Sequence, residues 1–218
     1  MRYDSSPITI KVIKWSIRTW WDDLTGLAMI NLIWVLCWIT IVLGPPATLG
    51  LYYLSYELVG GQSLGLGGLI EGMRKYFLKS WGWALANLLV MILLWSNIVF
   101  YSNMDSVWVK GLPLVMIVLG LVWLTVQFYG LPFLMLQEQK SLIAAWRNAY
   151  VIAALNPGYT TVLMIFVVLV AVISVVFVLP LFLGAVPLIS ILGCQAVKDR
   201  VEDFKQRQRS QSDEKKNQ

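Results

Sequence analysis

Four long stretches of this sequence carry no charged side chain, and they constrain the fold more than any other feature. They run over residues 24–56, 80–104, 111–137 and 148–197. A transmembrane helix needs about 20 apolar residues, so each stretch accommodates at least one span and the last accommodates two. A helix on a soluble protein has no reason to be apolar all round over such a length. The sequence therefore predicts an all-α, polytopic membrane protein.

The overall composition agrees with this prediction. Of the 218 residues, 58% are hydrophobic and only 13% are charged, whereas a soluble domain carries about 25% charged residues. The first 23 residues are polar and basic, and no small-residue cleavage site follows the next apolar run. We therefore expect no cleavable signal peptide, and we expect residues 24–43 to form a retained first span.

The basic residues indicate how the chain crosses the membrane, because Lys and Arg near span ends favour the cytoplasmic side. All but Lys110 of the 17 basic residues lie in four segments: the amino terminus, the region of Arg74, the region of Arg147, and the tail. If all four segments are cytoplasmic, the chain must leave and return before Arg74. Gly44-Pro45-Pro46 is then the outer turn, and Pro46 starts the returning helix. The alternative is a single kinked span that leaves the Arg74 segment outside.

The first arrangement predicts about six transmembrane segments in three hairpins, with both termini in the cytoplasm. Residues 81–101 lead out and 112–136 return, and residues 159–178 lead out, turn at 179–184 and return over 185–197. We expect three regions: a cytoplasmic amphipathic segment (1–23), a transmembrane helical domain (24–197), and a basic cytoplasmic tail (198–218). The tail is expected to be disordered after about residue 204 because it is polar and poor in apolar residues. Whether the helix after Pro46 crosses the membrane completely stays open.

Two later segments resemble each other and suggest a duplicated helical unit. Residues 69–81 align with residues 142–154, which sets Arg74 against Arg147. Both segments, and the amino-terminal one, place apolar and basic side chains on different faces of a helix. Such helices lie along the membrane interface, with their basic side chains toward the lipid headgroups.

The residues that most enzymes need are missing. The chain has no His, which excludes Ser-His-Asp and Cys-His arrangements, and it has no GxxxxGK[ST] phosphate loop. No catalytic, metal or cofactor residue is predicted. Four polar side chains fall at membrane depth: Asn31, Asn87, Asn97 and Gln127. We expect them mainly to bond across helices.

One stretch carries a resemblance to a known family. Asn31-Leu-Ile-Trp34, an apolar run, Gly44-Pro45-Pro46-Ala47-Thr48 and then Leu51-Tyr52-Tyr53 resemble the signature of the YesL family of bacterial integral membrane proteins. The basic and aromatic residues 74–79 extend the resemblance, which covers about residues 20–100. The second proline and Leu49-Gly50 depart from the family pattern. The resemblance implies a bacterial plasma-membrane protein, often encoded beside carbohydrate ABC transport systems.

These observations favour a non-catalytic accessory or regulatory membrane protein, with autonomous transport of a small solute as the alternative. In the first case Asn31, Trp34, Gly44, Pro46 and Tyr53 shape the first hairpin. The cytoplasmic surface then meets lipid or a partner through four basic residues: Arg74, Lys75, Lys79 and Arg147. The expected partners are the bilayer and either transporter subunits or a second copy of the chain, with no nucleic acid. In the second case Asn31, Asn87 and Gln127 line a solute path.

Overall fold

The structure is a computed structural model that describes residues 8–104, 110–177 and 179–216. The predicted loop residues 105–109 and the termini at 1–7 and 217–218 lie outside this part. No β-strand occurs in the described ranges, so the all-α prediction is confirmed. The helices there are α1 (Ile8–Asp22), α2 (Leu24–Ile39), α3 (Gly44–Val59), α4 (Gly65–Lys75), α5 (Phe77–Ser102), α6 (Leu112–Leu136), α7 (Leu142–Leu155), α8 (Pro157–Phe177), α9 (Leu179–Leu183) and α10 (Ala185–Lys216).

Three helices, α5, α6 and α8, are long and apolar enough to cross a membrane. A fourth span is possible if α1 and α2, which meet at 88°, form one bent span. The six predicted crossings are therefore not confirmed. Helices α2 and α3 have 16 residues each and reach about 24 Å, which is less than the roughly 30 Å of a hydrocarbon core.

Helix α3 is the centre of the bundle. Every residue from Gly44 to Ser55 is buried, and helices α2, α4, α5, α6 and α10 pack around it. In contrast, the most apolar window of α5 has no buried residue. The apolar character of α3 thus comes from burial inside the protein, whereas that of α5 suits contact with lipid.

The chain reverses between α2 and α3 at residues 40–43, immediately before the turn predicted at Gly44-Pro45-Pro46. Ile41 takes the left-handed conformation there, with φ of 61°, which is an outlier for a β-branched residue. Gly44, Pro45 and Pro46 instead form the first turn of α3. Proline suits this position because the first N–H groups of a helix have no partner within it.

A shared hydroxyl holds α2 beside α3. Thr48 Oγ1 accepts hydrogen bonds from Trp34 Nε1 at 3.0 Å and Trp38 Nε1 at 3.2 Å, and donates to the Gly44 carbonyl at 3.0 Å. The Trp38 ring also covers Gly44, where a Cβ atom would lie 2.7 Å from it. The two helices are therefore antiparallel neighbours, so residues 24–59 do not form one kinked helix.

Two glycines let α4 lie directly on α3. A Cβ atom on Gly50 would lie 2.6 Å from the Leu69 carbonyl oxygen, and one on Gly72 would lie 2.8 Å from the Gly50 Cα. The backbones of the two helices are thus in contact. Neither residue can be enlarged without moving a backbone.

The same arrangement recurs between α6 and α7, where a Cβ on Gly130 would lie 2.9 Å from Trp146 Cδ1. In the alignment of residues 69–81 with 142–154, Trp146 corresponds to Met73, which lies against Gly50 in the same way. The likeness ends at the carboxyl ends of the short helices. Phe77 begins α5, whereas its counterpart Tyr150 lies within α7.

Contacts at the end of α1 argue against the predicted path through the membrane. Trp20 Nε1 donates to the Gly184 carbonyl at 2.9 Å, and Asn31 Nδ2 donates to the Phe182 carbonyl at 3.2 Å. A hydrogen-bonded pair lies within a few ångströms, far less than the roughly 30 Å of hydrocarbon. Trp20 at the cytoplasmic rim and Gly184 at an outer turn are therefore incompatible placements.

The carboxyl-terminal region also differs from the prediction. Helix α10 continues through Lys216, although the stretch after residue 204 was expected to be disordered. Its Lys, Arg, Gln and Glu residues are good helix formers. They extend a helix that already exists, so no new nucleation step is required.

We expect Gly72→Ala to lower the free energy of unfolding by about 1–3 kcal/mol, because the added methyl group meets the α3 backbone. Gly67→Ala is the matched control, since a Cβ there meets nothing within 4 Å. The control should be neutral or stabilising by up to about 1 kcal/mol, because alanine is the better helix former. Thermal unfolding in detergent measures both changes, and equal effects of the two substitutions would contradict the close crossing.

Candidate functional site at the basic end of the bundle

The predicted interaction residues are spread over several parts of the structure. Asn31 and Trp34 lie on α2, and Gly44 and Pro46 lie in the first turn of α3. Tyr53 lies further along α3, where it meets α4. Of the four predicted basic residues, Lys75 ends α4, Lys79 lies in the first turn of α5, Arg74 is exposed on α4, and Arg147 is exposed on α7.

Tyr53 provides the platform on which Lys75 rests. Its hydroxyl donates to Glu71 Oε1 at 2.9 Å, which fixes the ring against α4. The Lys75 ammonium lies 4.9 Å from the centroid of the Tyr53 ring and 5.7 Å from that of Tyr76. A cation within about 6 Å of an aromatic face is attracted by the ring, so Lys75 is held in place while it stays exposed.

Lys140, which the sequence analysis did not single out, joins the group from the segment between α6 and α7. It takes the left-handed conformation, with φ of 49°, and its Nζ donates to the Met135 carbonyl at the end of α6. Burial lowers the pKa of Lys140, and the ammonium groups of Lys75 and Lys79 lower this pKa further, while Glu57 opposes them. Three cations from three segments therefore share one region, and we call Lys75, Lys79 and Lys140 the lysine cluster.

Lysine also closes the end of α3. Lys198 Nζ on α10 donates to the Val59 carbonyl at 2.9 Å. The last carbonyl groups of a helix lack partners within the helix and carry partial negative charge, so a cation stabilises them. Lys198 follows directly after an apolar run, and Lys140 follows another such run after three polar residues. A lysine just beyond an apolar run was the feature of the sequence that could have predicted such a helix cap.

The charge of the lysine cluster is not neutralised by ion pairs. Within the described ranges, the salt bridges join Arg18 to Asp22 and Arg200 to Asp199 and Asp203. No carboxylate there lies within ion-pair distance of the cluster or of Arg74. The site holds the three ammonium groups beside the carboxylates of Glu57 and Glu71, so it carries an excess of positive charge that attracts anionic groups.

The polar residues predicted to line a solute path do not meet at one place. Gln127 Oε1 accepts from Trp83 Nε1 at 2.8 Å, and Asn87 Oδ1 accepts from Trp123 Nε1 at 3.0 Å. These bonds join α5 to α6. Asn87 and Gln127 meet at this contact, whereas Asn31 is fully buried against α9 and lies apart from them.

The chain matches no protein-family model, and no curated protein or solved structure is similar to it at a significant level. The resemblance to the YesL family therefore stays a prediction.

We expect Lys75→Gln combined with Lys79→Gln to raise the pKa of Lys140, because two repelling charges are removed. The pKa should stay below that of an exposed lysine, since burial remains. The rate of amine modification at Lys140, followed against pH by peptide mass spectrometry, measures this shift. Lys11→Gln with Lys14→Gln removes the same charge from α1 and should leave the value unchanged.

The lowered pKa also gives a sign for the dependence of stability on pH. The folded protein binds the Lys140 proton less tightly than the unfolded chain does. The free energy of unfolding should therefore rise as pH increases through the folded pKa of Lys140 toward the ordinary lysine pKa.

An unchanged Lys140 pKa in the double variant Lys75→Gln with Lys79→Gln would show that Lys140 does not interact with the other two lysines.

Proposed function

We propose that this chain is a non-catalytic accessory or regulatory protein of the bacterial plasma membrane, acting beside a carbohydrate ABC transport system. The observation that carries the proposal is the lysine cluster, where three segments present cations that no carboxylate pairs with in the described ranges. A surface of this kind suits recognition of an acidic partner at the membrane. The resemblance of residues 20–100 to the YesL family supports the choice of partner.

The apolar helices support the membrane location. Helices α5, α6 and α8 are long enough to span, and the basic segments around Arg74 and Arg147 suit the cytoplasmic side. We keep the cytoplasmic assignment for these two segments. The side on which α1 and residues 179–184 lie is left open by the contact between Trp20 and Gly184.

The alternative, autonomous transport of a small solute, has less support. The side chains proposed to line a path are engaged in contacts between α5 and α6, or between α2 and α9. Transport coupled to ions usually needs ionisable residues at membrane depth. Purified chain in liposomes should accordingly show no flux of sugars above that of empty liposomes.

Purification of the tagged chain from its native membrane in a mild detergent tests the proposal. We expect transporter subunits to remain bound in stoichiometric amount, as measured by mass spectrometry. Arg74→Gln with Lys75→Gln should lower their recovery several-fold, because rim charges govern association. Lys11→Gln with Lys14→Gln is the charge-matched control and should retain the subunits.

Two outcomes would count against this function. Recovery of the chain alone or as a homo-oligomer, with no transporter subunit, would remove the accessory role. Flux through liposomes that contain only this chain would favour autonomous transport instead.

A further inference from the structure

A groove with an arginine at its edge lies between α7 and the α5–α6 hairpin. Its volume is about 510 Å³. Val90 and Leu94 line it from α5, and Leu119 and Val122 line it from α6. We call it the Arg147 groove, because Arg147 on α7 is the only charged residue along its described walls.

Aromatic side chains mark the level of this groove relative to the bilayer. The Trp123 and Trp146 rings, which line it, lie 5.5 Å apart. On α5, Asn87 lies opposite Trp123, and Trp83 lies one turn nearer the start of the helix, opposite Gln127. Tryptophan is enriched where the hydrocarbon core meets the headgroups. We place Arg147 at headgroup level because its segment is assigned to the cytoplasmic side above, and Leu94 and Leu119 then lie further into the hydrocarbon region.

The charge of Arg147 is available to a ligand. The side chain is exposed, and no carboxylate in the described part of the chain pairs with it. The guanidinium group donates to phosphate in a bidentate manner. Tyr150, which is 58% exposed and lines the same groove, adds a hydroxyl near the headgroup.

The rest of the groove suits an acyl chain. Leu119 and Val122 are 48% and 43% exposed, and they lie on α6, one of the helices long and apolar enough to span a membrane. An apolar surface at this depth faces lipid tails, and the groove lets one chain lie between two helices and α7. A positive charge at headgroup level together with an apolar groove below it matches a lipid with a negative headgroup.

We propose that the Arg147 groove binds one anionic phospholipid, with its phosphate beside Arg147 and an acyl chain against Leu119 and Val122. The inference is independent of any protein partner. It concerns a different surface from the lysine cluster and holds whether or not a transport system is bound.

Native mass spectrometry of the purified protein, equilibrated with equal amounts of phosphatidylglycerol and phosphatidylcholine, tests the site. We expect the protein to retain one phosphatidylglycerol in preference to phosphatidylcholine. Arg147→Gln should lower this retention about fivefold, the effect of one basic side chain at a membrane surface. Arg147→Lys should keep most of it, and Arg74→Gln, which removes an exposed arginine outside the groove, should keep all of it.

A second variant tests the acyl-chain part without changing the charge. Val122→Trp fills the groove and should lower retention while Arg147 is intact. Leu121→Trp is the control, because Leu121 is 53% exposed on the same helix but does not line the groove. Size-exclusion chromatography and circular dichroism establish that each variant is folded, and the two positions allow the test to proceed if one variant is not.

Three outcomes would overturn the proposal. Equal retention of phosphatidylglycerol by the wild type and Arg147→Gln would remove the arginine from the site. Equal retention of the two lipids by the wild type would remove the selectivity for negative charge. Complete displacement of phosphatidylglycerol by soluble glycerol phosphate would show a headgroup site with no bound acyl chain.

Discussion

Helix α3 is buried on all sides, and the arrangement of the other helices depends on how its polar groups are satisfied. A helix buried this completely must satisfy both of its ends and every polar side chain on its surface. Prolines begin it and bring no N–H donors, Thr48 binds two indoles, and Ser55 shares a 2.6 Å hydrogen bond with Ser190 of α10. Gly50 then admits α4 to backbone contact. Helices α2, α10 and α4 are each held to α3 by a different one of these contacts.

The charged surface follows from the same constraint. The carbonyl groups at the ends of α3 and α6 receive the ammonium groups of Lys198 and Lys140. Because α4 packs on α3 through glycine, it also brings Lys75 to the same region, over the Tyr53 ring. The cations therefore gather where the buried helices end. The proposed recognition surface therefore forms only when the core is assembled. A partner that binds this surface would bind the correctly assembled protein and not a misassembled one.

The sequence predicted the long helices that could span a membrane better than the short helices buried inside the protein. Helices α5, α6 and α8 are apolar all round and long, and hydropathy alone identifies them. The apolar residues of α3 look the same in sequence, but packed neighbours and not lipid surround them. The sequence did not predict that α2 ends at residue 39 and has only sixteen residues, because the turn falls at residues 40–43, in an apolar run without a turn residue. Lys140 was missed because its neighbours Lys75 and Lys79 come from α4 and α5, which only the glycine crossing brings near.

The contact between Trp20 and Gly184 has a consequence for how the chain is made. The two residues are 164 positions apart, and ribosomes add about 5–20 residues per second. The last turn of α1 must therefore wait roughly 10–30 s after its own synthesis before its partner exists. Until then the Trp20 indole has no Gly184 carbonyl to bind. Helix α1 is thus translated before this partner and reaches its final position only after it.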